Sequence, residues 1–167
     1  LGADLTWVPF DNSTAMFAAL ESENIQIALS QGIVPMVLVA TAQHDFKVVD
    51  IAVSYPDNEN CFVHPDLNFS AANTAALRNR VVALPVGTVS HFNLNKTLAH
   101  FGIDPAPMEL VNMTPAQAAA ALLQGKVDIA CGWGPALEIL KDFGVALLTG
   151  EDRSAIGIRN FDVIVIS

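Results

Sequence analysis

Thr88, Val89, Ser90 and His91 follow the apolar run 81–85 and precede a stretch that is apolar at Leu94, Leu98 and Phe101. A strand that turns through Gly87 into a helix leaves free backbone N–H groups where a small anion can sit. The two hydroxyls and the imidazole of His91 add donors there, although plain helix capping by Thr88 or Ser90 explains the same residue types. Asp11 and Asn12, and then Ser30 and Gln31, stand in the same relation to two earlier helices, with the same simple alternative. Asp162 lies inside the apolar run FDVIVI, where an ionised carboxylate is costly unless paired. Glu59 lies in the polar stretch PDNEN, where a solvated turn carboxylate is the ordinary reading. Trp133 stands between Gly132 and Gly134, a pattern that lets the ring lie against the core or along a short aliphatic ligand. No Lys or Arg occurs in these turns. An anion would therefore rest on helix dipoles, and a zwitterion, with a carboxylate for its cationic end, is the easier guest.

Known catalytic signatures are missing: the chain has no Walker motif, no HExxH and no GxSxG. Cys61 and Cys131 have no His placed beside them by a recognisable motif. Two buried free thiols are the ordinary expectation, and a disulfide becomes the alternative if the protein is exported.

These side chains need elements to hold them. Apolar, β-branched runs predict strands at 5–10, 25–29, 47–55, 61–64, 81–85, 108–113, 127–131, 145–148 and 161–166. Helices are predicted from the caps at 11–14 to about 22, then over 34–42, 71–79, 88–101, 114–124 and 135–143. The fifth opens with Thr114-Pro115-Ala116-Gln117, a capping box with Pro at the first helical position. Residues 30–32 and 56–60 read as turns and 150–158 as a polar loop. Strands alternating with helices argue for an α/β fold with parallel-rich sheets. Two lobes are expected, 1–60 with 161–167 and 61–160, joined by crossings near 56–66 and 150–161 that would act as a hinge around an interlobe ligand.

Composition bounds the partners. The 167 residues are 52% hydrophobic with mean hydropathy +0.43, enough for a sizeable core. Seventeen acidic and eight basic side chains give a net charge of −9, which disfavours nucleic acid and anionic membrane surfaces. No apolar run approaches the ~18 residues of a membrane span. The chain opens at Leu1 without Met and closes inside FDVIVIS, so a piece of a longer protein is expected.

The runs ALPVGTVSHFNLNKTLAHFGI, LVNMTPAQAAAALLQGKVDIACGWGP and FDVIVI, in this order, resemble the periplasmic solute-binding proteins of taurine and sulfonate ABC importers. The resemblance spans nearly the whole chain and implies the type II two-lobed fold. It implies capture of a small sulfonate, foremost taurine, and delivery to a membrane permease with its ATPase, in the periplasm, by a monomer without enzymatic activity or cofactor. It matches the 88–91 turn to the family's anion-binding turn, Asp162 to an acid that meets the ligand's ammonium, and Glu59 to a family Glu near the crossing. Two departures stand out: Ser30-Gln31-Gly32-Ile33 replaces a Gly-Ser-Ser-like turn, and Gly134 stands where many relatives carry a larger residue. These keep an alkanesulfonate or another small zwitterion open as the ligand. An enzyme on the same fold, like the thiamine-pyrimidine synthases, is the alternative class. Those carry a Cys-rich metal motif and a sacrificial His, whereas this chain has two cysteines 70 positions apart.

Overall fold

Val82 and Leu84 of strand β4 (Val81–Leu84) share a core with Leu94 and Leu98 of helix α3 (Val89–His100), while Ala83 joins a different core on the opposite face. That split is the period-two alternation of a strand buried on both sides. The alanine face receives α4 (Pro115–Leu123) and α5 (Pro135–Phe143) through Ala118, Leu122, Leu137 and Leu140. A computed structural model describes residues 2–41 and 46–167. In it β4 pairs in parallel with β5 (Glu109–Asn112) and β6 (Ile129–Trp133). Beyond β6, β3 (Glu59–Val63) runs antiparallel and carries the short β7 (Val145–Ala146) on its outer edge.

A second sheet is antiparallel throughout. Its central strand is β8 (Asn160–Ile166), flanked by β1 (Ile27–Gly32) and β2 (Lys47–Tyr55). Helix α1 (Ser13–Glu21) contributes Phe17 and Leu20 to its core, and α2 (Ile33–Thr41) contributes Met36, against Val163 and Val165. The chain passes to the larger sheet through 56–58 and returns through 156–159, after helix α6 (Gly150–Ala155). The architecture is two-lobed α/β, with one sheet in each lobe.

Several local expectations are corrected. Residues 5–10 form no strand, because neither sheet pairs with them, and Leu5 and Trp7 stand 68% and 73% exposed. β propensity describes fit to a pleated surface and needs a partner to be realised. The expected turn at 30–32 is the end of β1, bulged between Ala28 and Gln31, with Ser30 in the left-handed region at φ 57°. Residues 71–79 make only a short 3₁₀ segment, Thr74–Leu77, after another at Pro65–Leu67. Asn73 and Asn79 flank it, and Asn competes with helix by bonding locally. The polar loop at 150–158 is largely α6, closed at its start by a capping box in which Thr149 and Asp152 bond reciprocally. The expected turn at 56–60 is shorter, since β3 already begins at Glu59. Position 42, the expected end of the second helix, lies outside the described residues.

The expectation of free thiols is also corrected: Cys61 and Cys131 form a disulfide. The register of β3 and β6 sets them directly opposite each other, with Cα atoms 4.0 Å apart. The Cys61 N–H donates to Asn60 Oδ1 and its carbonyl accepts from the Leu147 N–H. Neither group serves the Cys131 rung, which is therefore the closer, non-hydrogen-bonded kind of cross-strand pair.

Candidate functional site: a cleft between the two sheets

A cleft of about 370 Å³ opens where the two sheets face each other. On the side of the smaller sheet it is lined by Asp11, Asn12 and Ser13 at the start of α1 and by Ser30, Gly32, Tyr55 and Asp162 of the strands. On the side of the larger sheet stand Glu59 and Trp133 of its strands, Thr88 and Val89 at the start of α3, and Gly134. Phe10, Met16, Leu29, Pro35 and Val53 supply apolar lining, and among the described residues no Lys, Arg or His lines the cavity.

The anion-binding expectation rests on the start of α3. Thr88 is its N-cap residue, yet its side chain makes no capping bond. The Thr88 hydroxyl instead donates to the Pro85 carbonyl at 2.6 Å. The N–H groups of the first turn consequently have no side-chain cap and are left for solvent or a ligand. Ser90 and His91 do not line the cleft. Ser90 is fully buried toward Glu59, and His91 Nδ1 accepts from the Gly87 N–H at 3.3 Å, tightening the turn rather than facing the cavity. Asn12 both lines the cleft and caps α1, accepting from the Ala15 N–H at 2.9 Å. Asp11 and Ser30 line it as well, and Ser30 does so in a strained left-handed conformation. Gln31 is corrected as a cleft residue. Its side chain turns away from the cavity next to Gly32, fully buried, with neither amide atom finding a partner among the described residues.

Glu59 proves to be no solvated turn carboxylate. It is 1% exposed, and its Oε2 accepts from Asn93 Nδ2, from Arg153 Nη1 at 3.2 Å and from Asn160 Nδ2 at 3.2 Å. Burial pushes its carboxyl up, and Arg153, Asn93 and Ser90 pull it back. Arg153, itself 2% exposed, also donates through Nη2 to the Pro56 carbonyl and lies 3.8 Å from Asp57 Oδ1. This buried cluster ties both crossings to α6 and to α3.

Asp162 is half-buried, and burial raises its carboxyl above the usual range while a hydrogen bond from the Tyr55 hydroxyl, 2.8 Å, partly reverses the effect. Trp133 ends β6 opposite Glu59. Its two glycines have separate causes: a Cβ on Gly132 would fall 2.9 Å from that of Pro115, and Gly134 turns the chain at φ 59° into α5. Neither glycine reports a ligand, so the ring's exposure to the cleft carries that part of the reading.

The family model described as NMT1/THI5 like matches residues 2–164. The chain belongs to this family. The taurine-binding periplasmic protein of Escherichia coli (strain K12) is 29% identical over 165 residues, covering 99% of this chain and 50% of that protein. A putative aliphatic sulfonates-binding protein of the same organism is 30% identical over 149 residues, covering 89% and 44%. Among solved structures, the alkanesulfonate-binding protein SsuA from Xanthomonas axonopodis pv. citri, bound to MOPS, superposes with TM-score 0.78 at 26% identity, covering 97% of this chain and 54% of that one. This member of the family thus spans about half the length of the curated relatives it matches.

Sequence reasoning missed Tyr55, Asn93, Arg153 and Asn160. The signal available for Tyr55 was its position as the last residue of a strand, one step before the crossing, and as the only tyrosine in the chain. Arg153 carried none, since it belongs to α6, where the sequence predicts a polar loop.

Proposed function

We propose that this cleft captures a small sulfonate bearing an ammonium group, foremost taurine, and presents it to a membrane permease powered by its ATPase. The observation that carries the reading is the polarity of the cavity. Uncapped N–H groups of α3 stand at Thr88 and Val89, the Asp162 carboxylate lies on the smaller sheet, and among the described residues no basic side chain lines the space between. A zwitterion matches that pattern better than sulfate, which would find no counter-charge. Residues 1–60 with 161–167 act as one lobe and 61–160 as the other, closing on the ligand about crossings near 56–66 and 150–161. The Cys61–Cys131 disulfide supports a periplasmic or other extracytoplasmic location, where such bonds persist. Both curated relatives described above are named as binding proteins, which supports binding without turnover.

Calorimetric titration with taurine, ethanesulfonate and sulfate tests the reading. Taurine should bind most tightly, with no product formed and no metal required. Asp162→Asn should weaken taurine roughly tenfold to a hundredfold, as expected for a lost charge-assisted hydrogen bond, and leave ethanesulfonate nearly unchanged. Equal losses for both ligands would remove Asp162 from the ammonium role.

A further inference from the structure

Asp162 is held by backbone on both sides, pairing with Gly32 of β1 and Val53 of β2. What remains free is its side-chain rotation. Tyr55 lies two residues beyond Val53 on β2, diagonal to Asp162, within reach for a long aromatic side chain. Its hydroxyl donates to Asp162 Oδ1 at 2.8 Å, and both side chains line the cleft. Burial and the neighbouring carboxylate push the Tyr55 phenol well above its ordinary range, so it remains a donor throughout the working pH range. Gly32 adds no side chain over this carboxylate; even a Cβ there would stand 3.9 Å from Oδ1.

We propose that Tyr55 is a positioning residue for ligand binding: its hydroxyl fixes one oxygen of Asp162 and turns the other to the cleft, setting the preference for ligands that carry an ammonium. The inference rests on the ammonium reading of Asp162 given above. Tyr55 makes a single-point acceptor out of a carboxylate that could otherwise rotate away, so ordering is completed before the ligand arrives. Among the described residues, the other charged groups around Asp162 do not substitute. Glu59 and Asp11 line the cleft with the same sign of charge, and Arg153 is committed to Glu59, Pro56 and Asp57. On the adjoining strands, Asp50 is exposed and Lys47 pairs at the far end, opposite Ile166.

Tyr55→Phe keeps the ring and deletes the donor. Titrations of the wild type, Tyr55→Phe and Asp162→Asn with taurine and ethanesulfonate, over a pH series, provide the test. Tyr55→Phe should weaken taurine about tenfold while ethanesulfonate changes little. Because the hydrogen bond favours ionised Asp162, its loss should move the acid limb of taurine binding to higher pH. A taurine-to-ethanesulfonate ratio and a pH profile both unchanged in Tyr55→Phe would overturn the proposal. So would equal weakening of both ligands with a lowered thermal midpoint, which marks a packing role only. If Asp162→Asn leaves the ratio intact, the failure lies in the ammonium reading itself. If Asp162→Asn shifts the ratio and Tyr55→Phe does not, only the role of Tyr55 is lost.

Discussion

Arg153→Met is expected to cost about 3–5 kcal/mol of folding stability, because it strands a buried carboxylate. Glu59 would lose its cationic partner and be left to neutral donors such as the Asn93 and Asn160 amides in a site where it is 1% exposed. Urea unfolding should show a lowered midpoint with an unchanged slope, the signature of lost stability without a change in exposed surface. The sign of the pH dependence follows. With Arg153 gone, burial acts on Glu59 with less opposition, and the folded chain holds that proton to higher pH than the unfolded one. Such a group favours folding at low pH and loses the advantage as pH rises, so the deficit should be greatest near neutrality and shrink on acidification. Adding Glu59→Gln should recover part of the loss, since contacting partners do not behave additively. Simple addition of the two single effects would show that the pair does not act as a unit. The site is affected too, since Arg153 and Glu59 bind Pro56, Asn160 and Asn93 together. Loosening them frees both crossings and the helix whose N-terminus faces the cleft.

The second large effect concerns the disulfide. Replacing Cys61 and Cys131 together by alanine should cost about 4 kcal/mol, the loop-closure value for a cross-link spanning 70 residues. For a chain of this size that is a fall in thermal midpoint of roughly 8–16 °C. The enclosed segment includes β4, α3, β5 and α4, and so the whole turn at Thr88. One rung separates the bridge from the Glu59–Trp133 pair on the same two strands, so register at the cleft depends on it. The Trp133 environment should therefore become more heterogeneous in fluorescence lifetime. A midpoint within about 2 °C of wild type would mean that the ladder alone specifies this register.

Much of this was legible in the residues. Gly87, the Thr114-x-x-Gln117 box and the apolar stripe Leu94–Leu98–Phe101 located β4, α3, β5 and α4 because each signal is local and mutually consistent. The cleft-lining residues legible from sequence were those whose environment the chain states outright: Asp162 amid β-branched neighbours, and a glycine turn ahead of a helix. The cluster around Glu59 was hidden because its members come from β3, α3, α6 and β8, and no spacing announces that they meet. At Thr88 the residue type allows either a cap or a ligand donor, and spacing cannot show that the hydroxyl instead bonds the Pro85 carbonyl. Residues 5–10 failed for a related reason, since an apolar run cannot report whether a strand exists to receive it.

The order β1-β8-β2 has a consequence for how the chain acquires its shape. The middle strand of the smaller sheet follows β1 and β2 in the chain by more than a hundred residues. Until it joins them those two have no central strand to bind, and their apolar edges are open to other chains. The larger sheet, with its nearby parallel pairs, can condense first and deliver β8 through a short return segment. Assembly of the smaller sheet should accordingly be the late, slow phase of refolding, and the ligand cleft should appear only when it is complete.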